Sequence, residues 1–395
     1  MRKTYLPFCL PSIGEEEIAE VADSMRSGWI TTGPKVKRFE EEFAAYVGCA
    51  HAVAVSSCTA GLHVALTALG IGQGDEVILP TMTFCATANV VVHLGAKPVL
   101  VDVKPDFQID PACVRRAITP RTRAIMPVHY AGQACELDEI LDIGVQHRLA
   151  VVEDAAHAAG ALYRGKKIGT HGHAVAFSFY ATKNLTTGEG GMVTTADPEL
   201  AGRMRLLSLH GMTRDAWKRY TRGAGWEYDV RYAGYKYNMT DIQASIGIHQ
   251  LHRLDNFIRR RQEIAATYDT AFANLPEVHC PVRRDDRSHV YHLYPVQLDG
   301  NGKLDRCSFI AELATAEIGC SVHFIPVHRH SFYREVFGYR TKEFPVAEKL
   351  YRGLVSLPLY PKMSEADTQD VIEAVQTAVV RSRSAPVITR AAASA

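Results

Sequence analysis

The chain has 395 residues, enough for two or three domains at about 150 residues each. Its 47% apolar and 22% charged residues exclude intrinsic disorder and leave ample material for a large core. Lys plus Arg number 44 and Asp plus Glu 43, a net charge of +1 that gives no global electrostatic case for nucleic acid or an anionic membrane as partner.

The N-terminal stretch meets Pro7, Pro11 and an acidic run before any apolar core, so it does not read as a secretory signal. Ser12 with Glu15 predicts a capping box for a helix over EEEIAEVADSMRS, which Gly28 can end. A second amphipathic helix is predicted after Pro34. From residue 50 to about 205, the apolar runs HAVAVSS, DEVILP, PVLVDV, RAIMPVHY, LAVVED and AVAFSFY read as strands. Helical stretches such as CTAGLHVALTALG and CELDEILDIGVQHR lie between them. That alternation predicts βαβ units and a largely parallel sheet covered on both faces. Its longest apolar run, near 86–103, is broken by His93, Gly95, Lys97 and Pro98, so no transmembrane helix is expected.

After a second capping box at Thr240 and Gln243, one long helix or two are predicted, with the basic RRRQ on a solvated face. HVYHLYPVQLD, GCSVHFIP and VSLPLYP then read as strands among further helices. The expected organisation is an N-terminal segment at 1–30, a large domain at 31–249, a smaller α+β domain at 250–381 and a disordered tail at 382–395. Nine scattered cysteines without a Cys-x-x-Cys pair predict reduced thiols in the cytoplasm. His323, His328 and His330 cluster without a matching second ligand pair, so no metal site is expected.

Three segments carry chemistry. In AVAFSFYATKNLTTGEGGMVTT an apolar strand presents Lys183 and enters a glycine-containing turn. A lone lysine is ordinarily a solubilising charge. Here small and hydroxylated neighbours surround it, and an amine nucleophile needs the partial burial that lowers its proton affinity. In HRLAVVEDAAHAAG a strand ends at Asp154, where open α/β sheets bind their ligands, although a carboxylate there is also a common helix cap. In HAVAVSSCTAGLHVALTALG, residues 57–61 open a helix whose free N–H groups and hydroxyls can cradle a phosphate or merely cap the helix. No GxGxxG or P-loop supports a nicotinamide or ATP reading. A nucleophilic lysine, a strand-end carboxylate and a phosphate cradle together match pyridoxal 5′-phosphate (PLP).

At these residues the chain resembles the DegT/DnrJ/EryC1/StrS family of sugar aminotransferases, over about residues 5–380. GWITTGPKVKRFE, GDEVILPTMTFCATAN, PVHYAGQ, EDAAHA, FSFYATKNLTTGEGG and GYKYNMTDIQASIG resemble family motifs in family order. The resemblance implies the fold type I architecture: a large domain with a mostly parallel sheet flanked by helices, and a smaller α+β C-terminal domain. It implies that Lys183 is the Schiff-base lysine and proton shuttle, that Asp154 pairs with the pyridinium nitrogen, and that His157 sits near the phenolic oxygen. Phe84 would stack on the ring, and Thr59, Ala60 and Ser178 would hold the phosphate. Asn238 would reach the cofactor of a neighbouring subunit, implying a homodimer with shared sites. Alternative readings stay open for Phe84, as a core aromatic, and for Asn238, as a helix-entry residue.

The activity so implied is transfer of an amino group from L-glutamate, leaving 2-oxoglutarate and the pyridoxamine 5′-phosphate form, to a keto group of a nucleotide-linked sugar. The sugar would be a UDP-, dTDP- or GDP-linked keto-deoxy sugar; PVHYAGQ and YKYNMTDIQ resemble relatives acting at C4. Amination at C3 is the alternative. Thr31 and His328 occupy stretches that line the sugar cleft in relatives, or else are a turn hydroxyl and a surface histidine. A dehydratase branch carries histidine in place of the anchoring lysine, so Lys183 favours transamination. A PLP-binding regulator with a DNA-binding module is the reading of another class, and no basic N-terminal module supports it.

Overall fold

The computed structural model describes residues 2–213, 227–299 and 304–384. Helices α1 (Glu15–Ser27) and α2 (Pro34–Val47) come first. The cap of α1 differs from expectation: Gly14 is the N-cap residue, and its N–H donates to Glu17 at 2.9 Å. Glu17 is wholly buried because Gln250 and Arg253 draw its carboxylate inward, which moves the reciprocal bond two residues past Ser12. Gly28 ends the helix in the left-handed region, as predicted.

The central sheet is built from β1 (His51–Val55), β2 (Glu76–Pro80), β3 (Lys97–Val101), β4 (Thr122–Ile125) and β5 (Ala150–Asp154). After the two-residue strands β6 (Leu162–Tyr163) and β7 (Lys166–Lys167), it is completed by β8 (Ala174–Ser178) and β9 (Gly191–Thr195). Its order is β1-β9-β8-β5-β4-β2-β3, and β9 alone runs antiparallel to its neighbours. The connections hold α3 (Cys58–Ala68), α4 (Cys85–His93), α5 (Pro111–Ala117) and α6 (Leu137–His147), with α7 (Pro198–Ser208) after β9. Apolar side chains alternate between the two faces, so Val53 and Val55 join one buried cluster while Ala52 and Ala54 join the other. The expected α/β fold with a mostly parallel sheet is what the chain adopts. Short α5 and α7, both entered through an Asp cap followed by Pro, were not visible as periodic stretches.

Residues Asp241–Phe272 form one unbroken helix, α8, with the predicted capping box at Thr240 and Gln243. Its basic middle is not all solvated: Arg259 is exposed, but Arg261 is 2% exposed. Beyond it, β10 (Val278–His279), β11 (Tyr294–Leu298) and β12 (Leu354–Leu357) make an antiparallel sheet. Helices α9 (Arg306–Thr315) and α12 (Glu365–Ser384) pack with it around a third apolar cluster, while α10 (Ser331–Phe337) and α11 (Pro345–Gly353) lean on the first. GCSVHFIP, expected as a strand, contributes only the single bridge Ser321–Ser356 among the described residues, and the His323 carbonyl accepts from the Tyr130 hydroxyl. The expected disordered tail begins too early, since residues 382–384 are the end of α12, and residues 385–395 lie outside the described residues. No helix among the described residues is long and apolar enough to cross a membrane.

Candidate active site

The carboxyl ends of β1, β5 and β8 open onto one cavity of about 540 Å³. Ser57, Thr59, Phe84, Asp154, His157, Ser178 and Lys183 all line it. Its floor at one end is the N-terminus of α3. Ser57 caps that helix by accepting from the Ala60 N–H at 3.0 Å, which leaves the N–H groups of Cys58 and Thr59 without helical acceptors. An anion is favoured there by both the free donors and the helix dipole. Ala60 does not line the cavity, and its N–H is already spent on the cap. Gly191 lets this cradle form: a Cβ there would stand 2.6 Å from the Ser57 carbonyl carbon and 2.7 Å from the Cys58 nitrogen.

Asp154, 5% exposed as a residue, ends β5 with its carboxylate tightly oriented. Oδ2 accepts from the Thr87 hydroxyl at 2.8 Å, and Oδ1 accepts from the Ala156 N–H at 3.1 Å. Thr87 was missed in the sequence, although it lies one helical turn beyond Phe84 in the same segment. Its hydroxyl also meets that of Thr83 at 2.7 Å.

Lys183 sits in the connection from β8 to β9, where its own N–H donates to the Tyr180 carbonyl at 2.9 Å. Burial lowers its proton affinity to about 8, against the opposing pull of Cys58, Asp154 and Cys9. A buried amine of this kind keeps a useful neutral fraction near pH 7, as a nucleophilic lysine requires. Next along the chain, the Asn184 amide donates to the Val290 carbonyl at 3.0 Å and pins the loop to residues 289–293.

Three histidines surround the amine. His157 accepts the Ala131 N–H on Nδ1 at 3.2 Å, so its ring proton belongs on Nε2. Burial first, then the charge of Lys183, holds it well below the ordinary histidine range. His292 stacks obliquely on His157 at 4.4 Å and brings Nε2 to 3.4 Å from the Lys183 Nζ. His323, which meets Ser356 through Nδ1 at 3.0 Å, is lowered to about 4 by burial and by Lys183. His292 and His323 were missed as site residues, because HVYHLYP and SVHFIP read as strands. The available signal was polarity: histidine pairs three and five apart interrupt otherwise apolar runs.

His292 is aimed by an unusual turn. Tyr291 has φ +45°, a conformation that costs a bulky residue about 1–3 kcal/mol. Arg261 offsets it, donating Nη1 to the carbonyls of Tyr291 at 3.1 Å, His292 at 3.3 Å and Leu359 at 2.6 Å.

The remaining expected site residues divide. Phe84 is 57% exposed with its ring 5.7 Å from that of Phe324, so it faces the cavity and is not a core aromatic. Ser178 lines the cavity from the end of β8. Asn238 lies in a separate groove with Thr32, Lys37, Glu40 and Arg205, and donates to the Thr32 hydroxyl at 2.7 Å. Thr31 does not line the cavity; its carbonyl accepts from the Asp241 N–H at 3.0 Å and helps seat α8. His328 corrects the expectation on both counts. It is fully buried, with Nδ1 against the Thr81 hydroxyl at 2.6 Å and Nε2 against Glu348 at 2.8 Å. With both nitrogens engaged inside the protein, it has nothing left to offer a sugar.

The profile of the DegT/DnrJ/EryC1/StrS aminotransferase family matches residues 11–376. An uncharacterised protein of Methanocaldococcus jannaschii is 53% identical over 385 residues, covering 97% of this chain and 100% of that protein. The spore coat polysaccharide biosynthesis protein SpsC of Bacillus subtilis is 52% identical over 381 residues, covering 96% and 98%. Among solved structures, Spr1654 of Streptococcus pneumoniae, described as a sugar aminotransferase and solved in PLP and pyridoxamine phosphate (PMP) forms, superimposes with a TM-score of 0.90. The PMP form is 36% identical and covers 95% of this chain and 100% of its own. The chain belongs to the DegT/DnrJ/EryC1/StrS aminotransferase family.

Proposed function

We propose that this PLP-dependent sugar aminotransferase uses Lys183, Asp154 and His157 to move an amino group from L-glutamate to the C4 keto group of a nucleotide-linked keto-deoxy sugar, in polysaccharide biosynthesis. The observation that carries the reading is the Lys183 amine, lowered to about 8 by burial, facing the same cavity as the oriented Asp154 carboxylate. The residues fit PLP: a free-N–H cradle opened by Gly191, a carboxylate, an amine and an exposed aromatic face at Phe84. When bound, PLP supplies an aldehyde for amine exchange and a protonated ring that withdraws electrons from the reacting carbon.

Each side chain then has a task. The Cys58 and Thr59 N–H groups with Ser178 hold the phosphate, while Ala60 serves the cap that exposes them. Asp154 keeps a proton on the ring nitrogen; Thr87 and the Ala156 N–H fix its direction. His157 offers its Nε2–H to the phenolic oxygen, since Nδ1 is committed to Ala131. Phe84 covers one ring face. Lys183 would anchor the cofactor, and its amine, with a proton affinity lowered to about 8, would take up and return a proton near neutral pH. Asn238, in its own groove, serves the cofactor of a second copy in a homodimer, and the chain divides into a cofactor domain at 31–249 and a smaller domain at 250–381. The name of SpsC supports the polysaccharide context. A nucleotide on the sugar fits a net charge of +1, since local donors grip an anion without a global positive field.

The test is to load the enzyme with pyridoxamine phosphate and offer a panel of 3-keto and 4-keto sugar nucleotides. Return of the visible absorption band with a 4-keto sugar is the expected result. Silence from every 4-keto sugar overturns the C4 assignment. Loading from L-glutamate, read as 2-oxoglutarate formed, tests the donor.

A further inference from the structure

Among the described residues few buried side-chain polar atoms lack a partner, yet two of them, Asn184 Oδ1 and His292 Nδ1, sit on residues that adjoin or touch Lys183, and a third residue, Arg261, meets the Cys9 thiol that also faces the amine. Buried polar atoms are satisfied in nearly all of a folded protein, so such a concentration calls for an explanation. The three belong to one assembly. Asn184 holds Val290, Arg261 grips the carbonyls of the strained Tyr291 and of His292, and His292 turns back to place Nε2 3.4 Å from the Lys183 Nζ. The backbone beyond supports it, with the Val290 N–H on the Gly132 carbonyl at 2.9 Å and the Leu293 N–H on the Ala131 carbonyl at 3.2 Å. Arg261 spends a fully buried guanidinium here, with no carboxylate partner among the described residues.

We infer that His292 is a further catalytic residue: its Nε2 accepts a hydrogen bond from Lys183 whenever that amine is free of the cofactor, keeping the ammonium aimed into the cavity, with Arg261 as the positioning residue. This inference rests on Lys183 as the anchoring lysine. An ammonium can only donate, so the partner must be a neutral imidazole with a bare Nε2 and its proton on Nδ1. Burial, with Lys183, His157, Arg261 and His323 nearby, keeps a second proton off that ring. The titratable groups facing Lys183 are Cys9 from the N-terminal segment, Cys58 from α3, Asp154 from β5, and His157 and His323; Tyr180 and Glu189 also line the cavity. None of these makes a hydrogen bond with the amine among the described residues, whereas His292 Nε2 stands 3.4 Å from it. The two stacked rings therefore carry opposite tautomers, Nε2–H on His157 and Nδ1–H on His292.

The experiment follows the visible band as PLP relinks to the cofactor-free, full-length protein across pH. The relinking rate depends on the neutral amine, so its inflection reports Lys183 irrespective of amplitude. His292→Phe fills the space but removes the acceptor. It should move the inflection down by about one pH unit, a tenfold change in the amine's proton affinity. His292→Gln, which keeps an acceptor, should restore most of it, and Arg261→Lys should move it the same way by less. Nitrogen NMR of the wild-type PMP form, which needs no substitution to fold, should find His292 as the Nδ1–H tautomer. An unmoved inflection in His292→Phe, or an Nε2–H signal from His292, overturns the inference. A Lys183→Ala protein that kept its visible band would instead remove the premise, so the two failures are distinct.

Discussion

His129 and His328 sit away from the cavity, and each gives a ring nitrogen to a buried carboxylate, Glu153 at 2.8 Å and Glu348 at 2.8 Å. Their other nitrogens are engaged as well, by the Cys135 N–H and the Thr81 hydroxyl. His157, His292 and His323 crowd around Lys183, and no carboxylate pairs with any of them among the described residues. The first setting is a lock: the donor and acceptor sites are filled, and removing one partner strands the other. The second keeps imidazoles uncharged through burial and a neighbouring amine, so they can accept or donate without a fixed ion pair. Identical side chains thus do opposite work according to whether a carboxylate stands beside them.

Four substitutions or conditions probe that contrast, in decreasing order of effect. Lys183→Ala should abolish the visible band and slow amino transfer by about 10²–10⁴-fold, the range of an acid–base group, with little change in unfolding. A band that survived would assign the anchor to another lysine. Glu153→Ala should cost about 3–5 kcal/mol in urea unfolding, because it leaves His129 and the Gly172 N–H facing an empty place. If its loss were below 1 kcal/mol, the lock reading of these pairs would fail. His157→Phe should shift the balance towards activity, lowering turnover about tenfold while costing only about 1–3 kcal/mol in urea unfolding through the stranded Ala131 N–H.

The smallest effect is one of pH. Hydrogen bonds from Arg329, then from His328, lower the Glu348 carboxyl from 4.5 to about 2. A depressed folded value means the unfolded state binds the proton more readily. The stabilisation from Glu348 is therefore complete above about pH 4.5 and is lost as the pH falls to about 2. Thermal unfolding of wild-type and Glu348→Gln protein should accordingly converge across that window. A constant gap would show that the pair contributes through packing alone.

Much of this was legible in the chain itself. The strands around residues 51–55, 76–80 and 150–154 are short apolar runs flanked by turn residues, and the sheet places Asp154 and Lys183 on one cavity. Local chemistry was less reliable where a distant residue competed. Ser12 lost its capping role because Glu17 is drawn to Gln250 and Arg253. Arg261, within a basic run, turned inward because three carbonyls converge on it. His328 was read as a surface or cleft residue, and only the approach of α11 supplies the carboxylate that buries it. His292 was hidden for another reason: its role depends on one left-handed residue, Tyr291, that no apolar pattern announces.

The antiparallel strand β9 also bears on how the protein is made. It closes the sheet against β1 by joining residues about 140 positions apart, with His51 opposite Thr195. Gly191, at the start of that strand, presses on the cradle that β1 leads into. While the polypeptide emerges from the ribosome, β1 must therefore wait, unpaired and strongly apolar, until most of the large sheet has been synthesised. The phosphate cradle and the lysine are joined by the longest loop closure in that sheet, so cofactor capture reports a completed sheet and comes late in the life of the nascent chain.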